Sequence, residues 1–152
     1  MSLGQPPRLE EVFQKYDPPV YFVTLCTKDR RRALANATVH SVLIDYGRGG
    51  LPGGSALGRY VIMPDHIHLF VAGADDFDLG GWVRGLKRVV AAAVSGGRGG
   101  LWQRGFFDHL IRNSESYSEK WDYVLENPVR AGLVSSADKW PFQGEIVPID
   151  HE

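Results

Sequence analysis

The sequence predicts an α+β fold of the split β-α-β, ferredoxin-like type, in which an antiparallel sheet carries its helices mainly on one face and one extra helix is appended. Three observations predict it. The apolar pattern switches between strand-like and helical spacing in the order β-α-β-β-α-β-α. A Pro64-Asp65 pair sits between two strand-like runs in the middle of the chain and reads as the tight turn of a hairpin. Glycine-rich breaks at 47–54 and 96–100 punctuate the pattern.

Each element has a local reason. Pro18-Pro19 ends the N-terminal segment, and residues 20–27 (VYFVTLCT) are rich in β-branched and aromatic types, as a first strand requires. From Arg32 to Tyr46, Leu34, Ala37, Val42 and Leu43 recur with few breakers, which predicts a helix stopped by GRGGLPGG. Strands are expected at 56–63 and 66–72. Residues 79–94 place Trp82, Leu86, Val89, Val90 and Ala93 at helical spacing, with Arg84, Lys87 and Arg88 on the polar side. Gly96 to Gly100 is a break and not a phosphate cradle, because it lacks the GxxxxGK[ST] order. A strand is expected at 106–111, then a helix capped by Ser114 or Ser116 and running through Glu126, which Pro128 helps to end.

Composition narrows the class. A chain of 152 residues, 43% hydrophobic and 23% charged, suits one globular domain. Residues 1–152 are read as one unit, with 1–18 and 143–152 peripheral. No apolar run approaches the roughly 20 residues that span a bilayer. The polar N-terminus lacks a secretory h-region, and Cys26 is the single cysteine, so a reducing cytoplasm is expected. The net charge of −1 counts against a nucleic-acid partner. Against that, basic residues cluster at 28–32, at Arg84, Lys87 and Arg88, and at Arg98, Arg104 and Arg112, which leaves room for a basic face.

Two constellations carry chemistry. His66 and His68 alternate along a strand, so both imidazoles project from one face about 7 Å apart, where they could share a divalent metal. Tyr123 and Asn127 stand four apart on the last helix and therefore share a face, away from the apolar stripe of Tyr117, Trp121, Val124 and Leu125. An asparagine oxygen there would complete a His-His-Asn set open to water or phosphate.

Three segments extend these constellations into a pattern: YVIMPDHIHL at 60–69, LWQRGFFDHLIR at 101–112, and YVLENPVRAGLV at 123–134. Together they resemble the REP-associated tyrosine transposases, a branch of the HUH single-strand endonucleases related to small insertion-sequence transposases. The resemblance implies a nuclease sheet with the His-x-His pair on a central strand and the nucleophile on a late helix. It assigns His66, His68 and Asn127 as ligands of Mg²⁺ or Mn²⁺ and Tyr123 as the nucleophile that nicks and rejoins single-stranded DNA at repeat-associated hairpins. It also implies a nucleoid-associated protein that acts as a monomer, although related insertion-sequence enzymes are dimers.

Other residues have weaker claims. Asp65 either orients an imidazole or caps its own turn. His109 either touches phosphate or is structural. Trp102, Gln103 and Arg104 could contact unpaired bases, and Lys87 and Arg88 could hold backbone phosphates. Two other functions fit the same residues: a non-catalytic protein that binds structured single-stranded DNA or RNA, and a phosphoesterase in which a metal-bound water attacks.

Overall fold

The computed structural model describes residues 19–148 apart from 75 and 97, with the backbone alone at 114 and 115. Strands β1 (Val20–Cys26), β2 (Ser55–Ile62), β3 (His66–Gly73), β4 (Phe107–Ile111) and β5 (Gln143–Glu145) form one sheet. Their order is β4-β1-β3-β2-β5, and every pairing is antiparallel. Helices α1 (Ala37–Gly49) and α2 (Leu79–Ser95) follow β1 and β3, so the expected β-α-β-β-α-β order holds. Helix α3 (Ser114–Leu125) and the short α4 (Asn127–Arg130) come after β4.

Side-chain alternation gives the sheet two faces, and each has its own core. Val23 and Leu25 of β1, Leu57 and Ile62 of β2, and Ile67, Leu69 and Val71 of β3 pack under α1 and α2. The intervening residues of the same strands, among them Phe22, Val61 and Phe70, pack with Tyr117 and Val124 of α3 and with Trp140. The first face is covered by two helices, as in a split β-α-β fold, and the appended helix takes the other.

Helix α3 is fastened by an irregularity that periodicity does not reveal. The β2–β3 register shifts between Leu57 and Tyr60, a bulge that re-aims the intervening side chains. The Arg59 guanidinium then lies 5.4 Å from the Tyr117 ring centre and 5.5 Å from that of Trp121, while its Nε donates to Glu145 at 3.1 Å. Cation–π contact and ion pair together tie α3 to β2 and β5.

Several boundaries differ from expectation. Residues 31–36 are not helical. Asn36 caps α1 instead, its Oδ1 accepting from the Val39 N–H at 2.9 Å. The helix also runs past the expected stop at Gly47 to Gly49, and Gly47 faces Leu57 so closely that an added Cβ would sit 2.7 Å from Leu57 Cδ2. Asn113, not Ser114 or Ser116, caps α3, accepting from the Ser116 N–H at 2.8 Å. Helix α3 ends at Leu125 with Glu126 as its C-cap, close to the expected end, and Pro128 occupies the first turn of the separate α4, where a missing N–H costs nothing. Strand β5 was not expected, being three residues without an apolar run, yet it pairs with β2. Within the C-terminal stretch read as peripheral, Val147 is buried in the second core. The expectation for residues 1–18 lies outside the described residues. Among the described residues no helix is long and apolar enough to cross a membrane.

Candidate active site

His66 and His68 open β3 on the face that carries α3, where their rings stand 4.7 Å apart between centres at 79°. They are closer than strand spacing alone predicts because each ring is held from the side. His66 Nδ1 donates to Asp65 Oδ1 at 2.8 Å, and Arg30 Nε donates to Asp65 Oδ2 at 2.8 Å. Burial works to raise the Asp65 pKa, but the hydrogen bonds from His66 and Arg30 outweigh it and hold the carboxyl below its usual value. Of the two readings left open for Asp65, orientation of an imidazole is the one the geometry supports. Arg30 reaches it from a loop in which Asp29 and Arg30 both have left-handed φ angles of 55° and 54°, a conformation uncommon outside glycine. Thr27 clamps that loop, its Oγ1 donating to the Arg31 and Asp65 carbonyls at 2.8 and 3.1 Å.

His68 is held by β1. Its Nδ1 shares a hydrogen bond of 2.9 Å with Thr24 Oγ1, and its ring stacks on Phe22 at 5.3 Å and 17°. Burial above all, then the charges of His66, Lys120 and Arg130, pushes its pKa down to about 3. The imidazole is therefore neutral near pH 7, the form that ligates metals. Both rings commit Nδ1 to the protein and leave Nε2 uncommitted by any of these bonds. Among the described residues there is no group of three or more His, Cys, Asp or Glu able to hold a metal ion, so a cation here needs ligands of another kind beside the two imidazoles.

Tyr123 is 64% exposed on α3, while Tyr117 and Val124 of the same helix are buried, as the apolar stripe predicts. It lines a cavity of about 300 Å³ with His109, Ile111, Ser116, Glu119 and Lys120. Tyr123 and Asn127 are joined through Arg130, a residue that helical spacing did not single out. The Arg130 guanidinium lies 3.9 Å from the centre of the Tyr123 ring and donates to the Tyr123 carbonyl at 2.7 Å and to Asn127 Oδ1. That carbonyl is open to a side chain because it is one of the last four of α3, which have no partner within the helix. Lys120 lies 5.3 Å over the Phe22 ring, on which His68 also stacks. Lys120 and Arg130 thus give this end of the face local positive charge that the total of −1 conceals.

His109 joins this group. On β4 it pairs with Phe22, so it shares the face of His68, and it is exposed at the cavity. The remaining nucleic-acid candidates do not converge there. Lys87 and Arg88 belong to α2 on the opposite side of the sheet. The Lys87 ammonium donates to the carbonyls of Gln103 and Gly105, and burial lowers its pKa. Trp102 Nε1 donates to the Lys87 carbonyl at 2.9 Å and its ring packs against the core under α1 and α2. Lys87 and Trp102 therefore pin the 101–106 loop to α2, while Gln103 and Arg104 remain exposed on it. Arg30, Thr24, Lys120 and Arg130 were missed. Arg30 lay in the basic run already noted, but Thr24 and Lys120 carry no local signal, since only strand pairing and helix docking bring them to His68.

No protein-family model matches the chain. The REP-associated tyrosine transposase of Escherichia coli is 35% identical over 89 residues, which cover 57% of this chain and 52% of that protein. A Haemophilus influenzae protein provisionally given the same name is 38% identical over 58 residues, 34% of this chain and 33% of its own. The chain thus matches about half the length of the first relative and a third of the second. Among solved structures, a REP-associated tyrosine transposase bound to a REP hairpin superposes with a TM-score of 0.70 at 26% identity, covering 94% of this chain and 82% of that one. A Deinococcus radiodurans protein shares the fold alone, with a TM-score of 0.52 at 19% identity over 82% of this chain and 95% of its own. In motif, sequence and fold, this chain is similar to the REP-associated tyrosine transposases.

Proposed function

We propose that this chain is a metal-dependent single-strand DNA endonuclease and strand transferase of the transposase type, with Tyr123 as nucleophile and hairpins of the repetitive-palindrome kind as substrate. One observation carries the reading: an exposed tyrosine on α3 lies over the same sheet face as two imidazoles whose Nδ1 atoms are both tied down. The hairpin bound by the structural relative supports the choice of substrate. On this reading one domain suffices, the protein acts as a monomer, and it works in the cytoplasm on the nucleoid.

The residues present suit a divalent cation. Nε2 of His66, Nε2 of His68 and Oδ1 of Asn127 would hold Mg²⁺ or Mn²⁺, with Arg130 using one lone pair of Oδ1 and leaving the other. When bound, the cation supplies charge that draws electron density from a non-bridging phosphate oxygen. Asp65 fixes the His66 tautomer, and Thr24 orients the His68 ring. Arg130 holds the Tyr123 ring and the Asn127 amide as one unit. In the nicking step Tyr123 Oη loses its proton and bonds to phosphorus, the bond from phosphorus to the 3′ oxygen breaks, and that oxygen takes up a proton. The product is a 5′-phosphotyrosine and a free 3′ hydroxyl, and the reverse reaction rejoins strands without ATP. Lys120 and His109, beside Tyr123, would contact the strand's phosphates.

The test is incubation of the full chain and a Tyr123→Phe variant with labelled hairpin DNA carrying single-stranded flanks, in Mn²⁺ or in chelator, followed by denaturing electrophoresis. A covalent protein–DNA band that needs metal and Tyr123 is expected. Cleavage without that band would point to attack by water, and binding without cleavage to a non-catalytic protein.

A further inference from the structure

The open half of the α3 face carries one large apolar side chain that neither core uses. Phe107 is 61% exposed on β4, an edge strand whose first four residues all face solvent. It is absent from both hydrophobic clusters. Register places it opposite Thr24, which on its other side pairs with His68, so the three residues form a row across the sheet on one face. At ordinary strand spacing Phe107 lies about 10 Å from the His68 backbone. His109, two residues further along the same face, lines the cavity that holds Tyr123 and Lys120. An exposed phenyl ring thus stands two residues along β4 from a cavity lined by Lys120, Glu119 and Tyr123, and in one row with His68.

We propose that Phe107 is the platform on which one unpaired base of the single strand stacks, next to the phosphate presented to Tyr123. The inference rests on the nuclease reading and goes beyond it by naming where a base is held. Every nucleobase offers a π face, so a solvent-facing aromatic beside a phosphate-binding cation is the usual unit of single-strand recognition. Here Lys120, which lines the cavity with His109, supplies the cation, and Phe107, two residues before His109 on β4, supplies the ring. Folding of this chain does not require Phe107 to be aromatic, since its ring is mostly in water.

The experiment uses the full chain and hairpin oligonucleotides whose single-stranded flank carries 2-aminopurine at successive positions. With wild-type protein, fluorescence is expected to fall at one position adjoining the cleaved phosphate. In Phe107→Leu, which keeps apolar bulk without a π face, that quench should vanish and Kd rise at least about fivefold at fixed salt. Phe107→Tyr and Phe107→Trp should restore both, and thermal stability should change little in all three. A Phe107→Leu variant that matches wild type in Kd and quench overturns the subsite alone. Wild-type protein that binds no single strand overturns both the subsite and the nuclease reading. A concentration-dependent dimer lost in Phe107→Leu, with DNA binding unchanged, would instead assign the ring to edge pairing between two copies and overturn the proposal.

Discussion

Acidifying the metal-free protein is expected to cost it stability through His68. In an unfolded chain the imidazole takes up its proton near pH 6.5, whereas in the fold burial first, then the charges of His66, Lys120 and Arg130, holds the pKa at about 3. Because the unfolded state binds the proton first, stability from this residue is complete above about pH 6.5 and is lost progressively as the pH falls towards 3. Each pH unit inside that window is worth roughly 1.4 kcal/mol, so a drop from about pH 7 to about pH 4.5 removes roughly 2–3 kcal/mol. Against a typical total of about 5–15 kcal/mol, that is a large share. The assay is urea unfolding in chelator, comparing wild type with His68→Gln, whose amide can still meet Thr24 but does not titrate. Other groups titrate alike in both proteins, so the wild type should lose roughly 2–3 kcal/mol more than the variant over this range. Parallel pH profiles would refute the reasoning, because they would mean that the His68 ring is solvated and titrates near its ordinary value.

Arg130→Ala is expected to lower stability by no more than about 1 kcal/mol, the worth of an exposed cation–π contact. The same change should slow formation of the Tyr123 adduct about tenfold or more, since the tyrosine and Asn127 lose their common anchor. Arg130→Lys, which has charge but no planar fork, should not restore the rate in a time course of the covalent band. Gly47→Ala is expected to cost about 1–3 kcal/mol in chemical denaturation, because the new methyl would meet Leu57 in a packed core. An unchanged midpoint would show that α1 can shift away from the sheet.

Much of the architecture was legible because it follows from local periodicity. The alternation in HIHLF puts two imidazoles on one face whatever the partner strands are, and the Pro64-Asp65 turn commits β2 and β3 to a hairpin. The spacing of Tyr117, Trp121 and Val124 shows which side of α3 is buried, and so that Tyr123 is not. These signals act over a few residues, within the range of sequence neighbours.

Which long-range neighbours complete each group depends instead on strand register and helix docking. Thr24 meets His68 because β1 pairs with β3 in one register, and a slip of one residue would turn the hydroxyl to the other face. Arg130 reaches Tyr123 because α3 ends at Leu125, leaving its last carbonyls without helical partners, and α4 follows at once with the guanidinium over α3. Lys87, which by its sequence context looked ready for phosphate, is bound to the carbonyls of its own 101–106 loop. Strand β5 is too short to announce itself and exists because β2 offers it an unpaired edge. The element order, the exposed tyrosine and the facing of the histidine pair follow from local patterns, since backbone geometry imposes those over short spans. Register, docking and competition for each hydrogen-bonding group decided the rest, since these depend on residues dozens of positions apart.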